Sequence, residues 1–180
     1  MNRVINLHLG CGDVKIPGFI NVDLEYRHHI DYIADVSKLH MFKDEVVSLI
    51  YASHILEHFG RHEVKRVLAE WYRVLKPGGT LRLAVPDFLS IVLAYEKGHP
   101  IEELMGLLYG GQDSKLNYHQ VCFDYKYLEK LLKEVGFKEV NLYEWQDTIH
   151  KKFDDFSQAY LPHMDKEKGL LMSLNVEAKK

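Results

Sequence analysis

The chain has 180 residues, 47% of them hydrophobic, and a formal charge of -3, enough for one well-filled core and read as a single domain over residues 1–180. It has no run of eighteen apolar residues and no signal-peptide block at its start, so it is expected in the cytoplasm without a membrane span. Its two cysteines, Cys11 and Cys122, lack C-x-x-C spacing, which excludes a disulfide framework, and no block of Lys or Arg offers a footprint for nucleic acid.

In chain order, the first apolar run, Val4–Leu9, reads as a strand opening into the turn Gly10-Cys11-Gly12. Phe19–Val22, Asp31–Ala34, Val46–Ala52 and Thr80–Val85 are further short apolar runs, the pattern of parallel strands buried on both faces. A helical stripe of Val64, Val67, Leu68, Trp71, Val74 and Leu75 stops at "LKPGG", and a second, Leu128, Leu131, Leu132 and Val135, stops at "EVGF". Val140 and Leu142 hint at a sixth strand. Leu170–Ala178 alternates apolar and polar residues as an antiparallel strand does. These elements make an α/β chain with a mostly parallel seven-stranded sheet and an antiparallel C-terminal strand.

Two connections are too short. Asp13–Gly18 and Leu24–Ile30 separate strands whose parallel crossover normally takes a dozen or more residues and a helix. One face of the sheet then needs a cover from elsewhere. It comes either from the aromatic-rich segment Asp147–Lys168, using Phe153, Phe156, Tyr160 and Leu161, or from a second subunit, and a homodimer is the favoured expectation.

The motifs "LHLGCG", "INVD", "IADV", "VSLIYASHILEHF", "VLKPGGTLRLAVPD" and "YLEKLLKEVGFKEV", in this order, resemble a class I S-adenosylmethionine-dependent methyltransferase. The likeness is greatest to small methyltransferase-like proteins often associated with surface-polysaccharide or glycan biosynthesis. The resemblance implies a three-layer Rossmann-like fold with shortened first crossovers and S-adenosylmethionine as cofactor. Gly10, Cys11 and Gly12 would turn against its methionine part, and Asp23, followed by Leu24, would accept the ribose hydroxyls. Asp35 and the Val36 N–H would meet the adenine, and Ser53 would close the methionine side. His8 stands where the family usually has an acid.

The resemblance also implies an acceptor lid in the long segment Pro86–Asp124, hinged at Gly110-Gly111. His54 and His119 are the candidate general bases. The N-P-P-Y signature of nitrogen methylation is absent, its place reading "YASH", so a hydroxyl of a small molecule or glycan is the expected acceptor. His54-Ile55-Leu56-Glu57-His58 matches the H-x-x-E-H zinc-peptidase pattern. Its context is wrong for a peptidase, and no metal is expected at His54 and His58. A zinc hydrolase and a catalytically degenerate binding protein are the alternatives. A nicotinamide enzyme is set aside, because Val14 stands near the place of the third glycine and Asp23 comes too early.

Overall fold

The computed structural model describes residues 4–180. Its strands are β1 (Asn6–Leu9), β2 (Ile20–Asp23), β3 (Tyr32–Ile33), β4 (Val47–Ser53), β5 (Leu75–Pro86), β6 (Lys138–Leu142), β7 (Tyr160–Leu161), β8 (Leu170–Leu171) and β9 (Ser173–Lys179). The helices are α1 (Val64–Val74), α2 (Phe88–Glu96), α3 (Ile101–Tyr109) and α4 (Tyr125–Val135). Seven strands form one sheet in the order β3-β2-β1-β4-β5-β9-β6, and β7 and β8 form a separate ribbon. Strands β1 to β5 pair in parallel, and β9 runs antiparallel between β5 and β6. The sequence reading of one strand over Leu170–Ala178 is corrected: Met172 breaks it, and only Ser173–Lys179 joins the sheet.

The sheet is two-faced, and its cross-strand register shows why. One rung aligns Val22, Leu9, Ala52, Leu83 and Val176; the next aligns Asn21, His8, Tyr51, Arg82 and Glu177. Since successive residues point to opposite faces, the first rung belongs to an apolar face and the second to a largely polar one. The apolar face packs against α1 and α4 through Val67, Leu68, Trp71, Leu128 and Leu132. Trp71 Nε1 donates to the Val36 carbonyl at 2.9 Å, pinning the loop between β3 and β4 to α1. Both faces of the parallel strands are buried, as their short apolar runs imply, but the second buries polar side chains, Asn21, His8 and Tyr51 among them.

No helix lies between β1 and β2 or between β2 and β3, as the short connections imply. The polar face is covered from within the chain. The His150 ring lies 3.9 Å from that of Tyr51, whose hydroxyl donates to Asp155 at 2.5 Å, and Asn175 Nδ2 donates to the Ser157 carbonyl at 2.9 Å. Phe153 packs on the cluster Ile16, Phe19 and Tyr51. Phe156, expected in this cover, is 67% exposed instead. Arg82 is neutralised by Glu177, its Nε 2.6 Å from the carboxylate. A second subunit is thus not needed to cover this face, and the reason for expecting a homodimer falls away. Light scattering across a concentration series is expected to give a constant mass of 21.0 kDa, with strong hydrogen-exchange protection over residues 148–159. A mass that doubles with concentration, or rapid exchange of that segment, contradicts the internal cover.

Candidate active site

The strand order reverses at β1, which pairs with β2 on one side and β4 on the other; ligands in such sheets bind outside the carboxyl ends of the strands at this switch point. The chain leaves β1 through Gly10 and Gly12 at positive φ, 61° and 51°. A Cβ on Gly10 would stand 2.6 Å from the Ile55 side chain, whereas one on Gly12 would meet nothing within 4 Å. Gly10 is therefore required by packing, and Gly12 leaves its backbone open to a neighbouring ligand. A Gly10→Ala variant is expected to lose about 1–3 kcal/mol of stability from the clash and the unfavourable φ. Thermal or urea unfolding checks this, and an unchanged midpoint contradicts it.

Asp23, at the end of β2, frames the loop. Its Oδ2 accepts the Gly12 N–H and its Oδ1 the Glu25 N–H, each at 2.9 Å. Arg27 Nε lies 2.5 Å from Asp13 Oδ1, and its Nη1 lies 3.9 Å from Asp23. Gly10, Gly12, Asp23, Leu24, Asp35 and Val36 line one cavity of about 730 Å³, which residues 113–118 also border. Burial raises the Asp35 carboxyl, but bonds from Ser37 and the Lys38 charge outweigh it and hold the group below the usual carboxylate range. It stays charged at neutral pH.

A second cavity of about 930 Å³ shares Gly10 and Gly12 with the first and extends past His8, Cys11, Ser53 and His54. Leu107, Phe156, Ala159, Leu161 and Met172 make much of its wall apolar, and Asp13, Glu103, Asp154, Asp155 and His163 also line it. Ser53 Oγ and His8 Nδ1 are buried without a hydrogen-bond partner. Burial lowers the His8 pKa to about 4, against an opposing pull from Asn21 and Asp23, so the ring is neutral. Burial and the Asp23 charge push the Cys11 thiol up to about 12, which leaves it unreactive.

The two candidate bases part company. His54, at φ 50° after β4, borders the second cavity. Its Nε2 lies 3.1 Å from Ser173 Oγ and its Nδ1 3.3 Å from Glu57 Oε1. Burial, then the His119 and His58 rings, lower its pKa to about 3. His119 lies on neither cavity wall; its Nε2 faces Glu57 at 3.9 Å, and its ring sits 5.0 Å from that of His58. The segment read as a lid, Pro86–Asp124, supplies Leu107 to the second cavity and residues 113–118 to the first. Sequence reasoning missed Phe156 and Met172 on the second cavity's wall, where only the aromatic content of the 147–168 segment was a hint.

The residues present suit S-adenosylmethionine. The open face of Gly12, the Asp23 carboxylate on the cavity wall and the unpartnered Ser53 Oγ beside the loop offer contacts for its ribose and amino-acid ends.

Comparison with known proteins agrees. A family model described as a methyltransferase domain matches residues 18–83. No curated protein gives a significant match. Among solved structures, a SAM-dependent methyltransferase from Archaeoglobus fulgidus superposes with a TM-score of 0.59 at 15% identity, covering 98% of this chain and 86% of that one. One from Mesorhizobium loti gives 0.57 at 18% identity, covering 99% and 92%. The 1,6-didemethyltoxoflavin-N1-methyltransferase of Burkholderia thailandensis, solved with S-adenosylhomocysteine, gives 0.62 at 15% identity, covering 99% and 72%. Sheet order, site position and matched segment thus define an α/β Rossmann-like methyltransferase fold. The fold is that of the class I S-adenosylmethionine-dependent methyltransferases, and residues 18–83 match the model of their domain. No helix among the described residues is long and apolar enough to cross a membrane.

Proposed function

We propose that the protein methylates a small molecule with a largely apolar body, at a hydroxyl oxygen, in the cavity of about 930 Å³. The observation that carries this reading is the meeting of two cavities at Gly10 and Gly12, one bordered by Asp23 and Asp35 and the other by apolar side chains. Bound in the first, S-adenosylmethionine supplies an electrophilic methyl group on a sulfonium sulfur. The chain's own part is to hold donor and acceptor in line, which alone removes much of the barrier to such a displacement. Asp23 accepts the ribose hydroxyls, Asp35 and the Val36 N–H hold the adenine, and Ser53 with the Gly10–Gly12 loop fixes the amino-acid end.

His54 borders the acceptor cavity with its ring held by Ser173, which suits a group that orients the acceptor. The lid of residues 86–124 serves both cavities: Glu103 and Leu107 of α3 face the acceptor, and residues 113–118 face the cofactor. A glycan acceptor has the support of the sequence resemblance, but the wall of Leu107, Phe156, Leu161 and Met172 favours an apolar ring or chain over a bare sugar. A methyl-release assay over phenols, aliphatic alcohols, sugars and small acids tests this. Turnover of apolar hydroxyl compounds, with KM raised by Phe156→Ala, is the expected result, and turnover confined to sugars or amines contradicts it.

His8 favours a second reading. A neutral, buried imidazole in the place of an acid gives the cofactor's ammonium group no charge partner, as in a binding protein that has lost turnover. Tight binding of S-adenosylhomocysteine with no methyl release from any acceptor in the panel would favour that reading.

A further inference from the structure

We propose that Glu57, His58 and His119 form a site for a single zinc ion that ties the lid to the turn after β4. One donor atom from each of the three lies within 4.8 Å of the others. Their second contacts are those of metal ligands. His58 Nδ1 lies 3.2 Å from the Tyr118 carbonyl and His119 Nδ1 2.9 Å from the Leu107 carbonyl. A carbonyl only accepts, so each Nδ1 carries the proton and each Nε2 keeps a free lone pair. A backbone carbonyl on the far nitrogen is the usual way a protein fixes the tautomer and aim of a ligating histidine.

Glu57 supplies an independent observation. Its side chain is fully buried, and neither carboxylate oxygen has a hydrogen-bond partner. A buried carboxylate facing imidazole lone pairs is costly without a proton or a cation between them. Two imidazoles and one carboxylate, with no thiolate, match the donor set of zinc sites that keep a fourth position open.

The ligand set differs from the H-x-x-E-H pattern. There the two histidines of the motif bind the metal and the glutamate acts as base. In this fold His54 Nε2 is taken up by Ser173 and its Nδ1 lies beside Glu57, while His119 arrives from the lid. The two segments already meet there: Gln120 N donates to the Glu57 carbonyl at 2.8 Å and Gln120 Nε2 to the His58 carbonyl at 2.7 Å. Zinc bound at this seam would order residues 113–118, which border the cofactor cavity. The site is independent of which acceptor is methylated.

The test is calorimetric titration of zinc chloride into chelator-treated protein purified without a metal-affinity tag, with hydrogen exchange followed over residues 113–120. One zinc per chain, slower exchange of that segment and a raised melting temperature are expected. Affinity should fall at least 100-fold in both Glu57→Gln and His119→Gln, and less than tenfold in His54→Ala. Glu57→Gln is close in shape to a protonated glutamate and keeps the turn foldable. If Glu57 is held by a proton alone, zinc will not bind at micromolar concentration, and the proposal fails. It fails equally if His54→Ala abolishes binding while His119→Gln leaves it intact, the result that would restore the H-x-x-E-H set.

Discussion

An Asp23→Ala variant is expected to bind S-adenosylhomocysteine about 10- to 150-fold more weakly than the wild type, a loss of about 1.5–3 kcal/mol. Two effects act together. The carboxylate is the acceptor offered to the ribose hydroxyls, and charge-assisted hydrogen bonds of this kind are the strong ones. It also holds the Gly12 and Glu25 N–H groups at 2.9 Å, so its removal loosens the loop that presents Gly12 to the ligand. Asp23→Asn separates the two. It keeps one carbonyl oxygen for the Gly12 N–H but loses the charge, and is expected to fall between wild type and alanine. Calorimetry on the three proteins checks the order, and equal affinity in all three removes Asp23 from the site.

The second large effect is on stability against pH. His8 is buried and neutral, with its pKa lowered from 6.5 to about 4 chiefly by burial, with His29 adding to the shift and Asn21 and Asp23 opposing it. In the unfolded chain it protonates near 6.5, so between there and about pH 4 the unfolded state binds more protons than the native one. Its contribution is thus fully present above pH 6.5 and is lost as pH falls through that window, by about 2 kcal/mol at pH 5 and about 3 kcal/mol at the limit. His150, stacked with it around Tyr51, shifts in the same direction. Because other groups titrate too, the informative quantity is the difference from a His8→Asn variant. Relative to wild type, that variant should gain about 2 kcal/mol between pH 7.5 and pH 5 in urea unfolding. A flat difference would show that His8 is not held neutral in the native protein.

Local patterns in the sequence carry the sheet and the cofactor loop. Gly10 and Gly12 follow an apolar strand, Asp23 and Asp35 end or follow the next two, and the helix stripes on α1 and α4 stop at glycine or proline signals; all of this lies within short windows. The second sheet face was harder to read. His8, Tyr51 and Arg82 sit singly between apolar neighbours, and a large aromatic such as Tyr51 passes for a core residue, so the alternation looked like a continuous apolar run. Only pairing across five strands makes Asn21, His8, Tyr51, Arg82 and Glu177 one polar row.

The cover over that row was equally hidden. It depends on contacts such as that of Tyr51 with Asp155, 104 residues apart, which no periodicity encodes. The same holds for His119. Its residue type marked it as a candidate base, but the turn that bonds Gln120 to Glu57 and His58 places it in a cluster rather than on the acceptor cavity.

Titration of S-adenosylhomocysteine into the full chain by calorimetry tests the account most directly. One ligand per chain is expected, with slowed hydrogen exchange over residues 10–13, 23–25 and 113–118, the segments that border the cavity beside Asp23. Absence of binding at millimolar ligand, or protection confined to segments away from the carboxyl ends of β1 and β2, would contradict it.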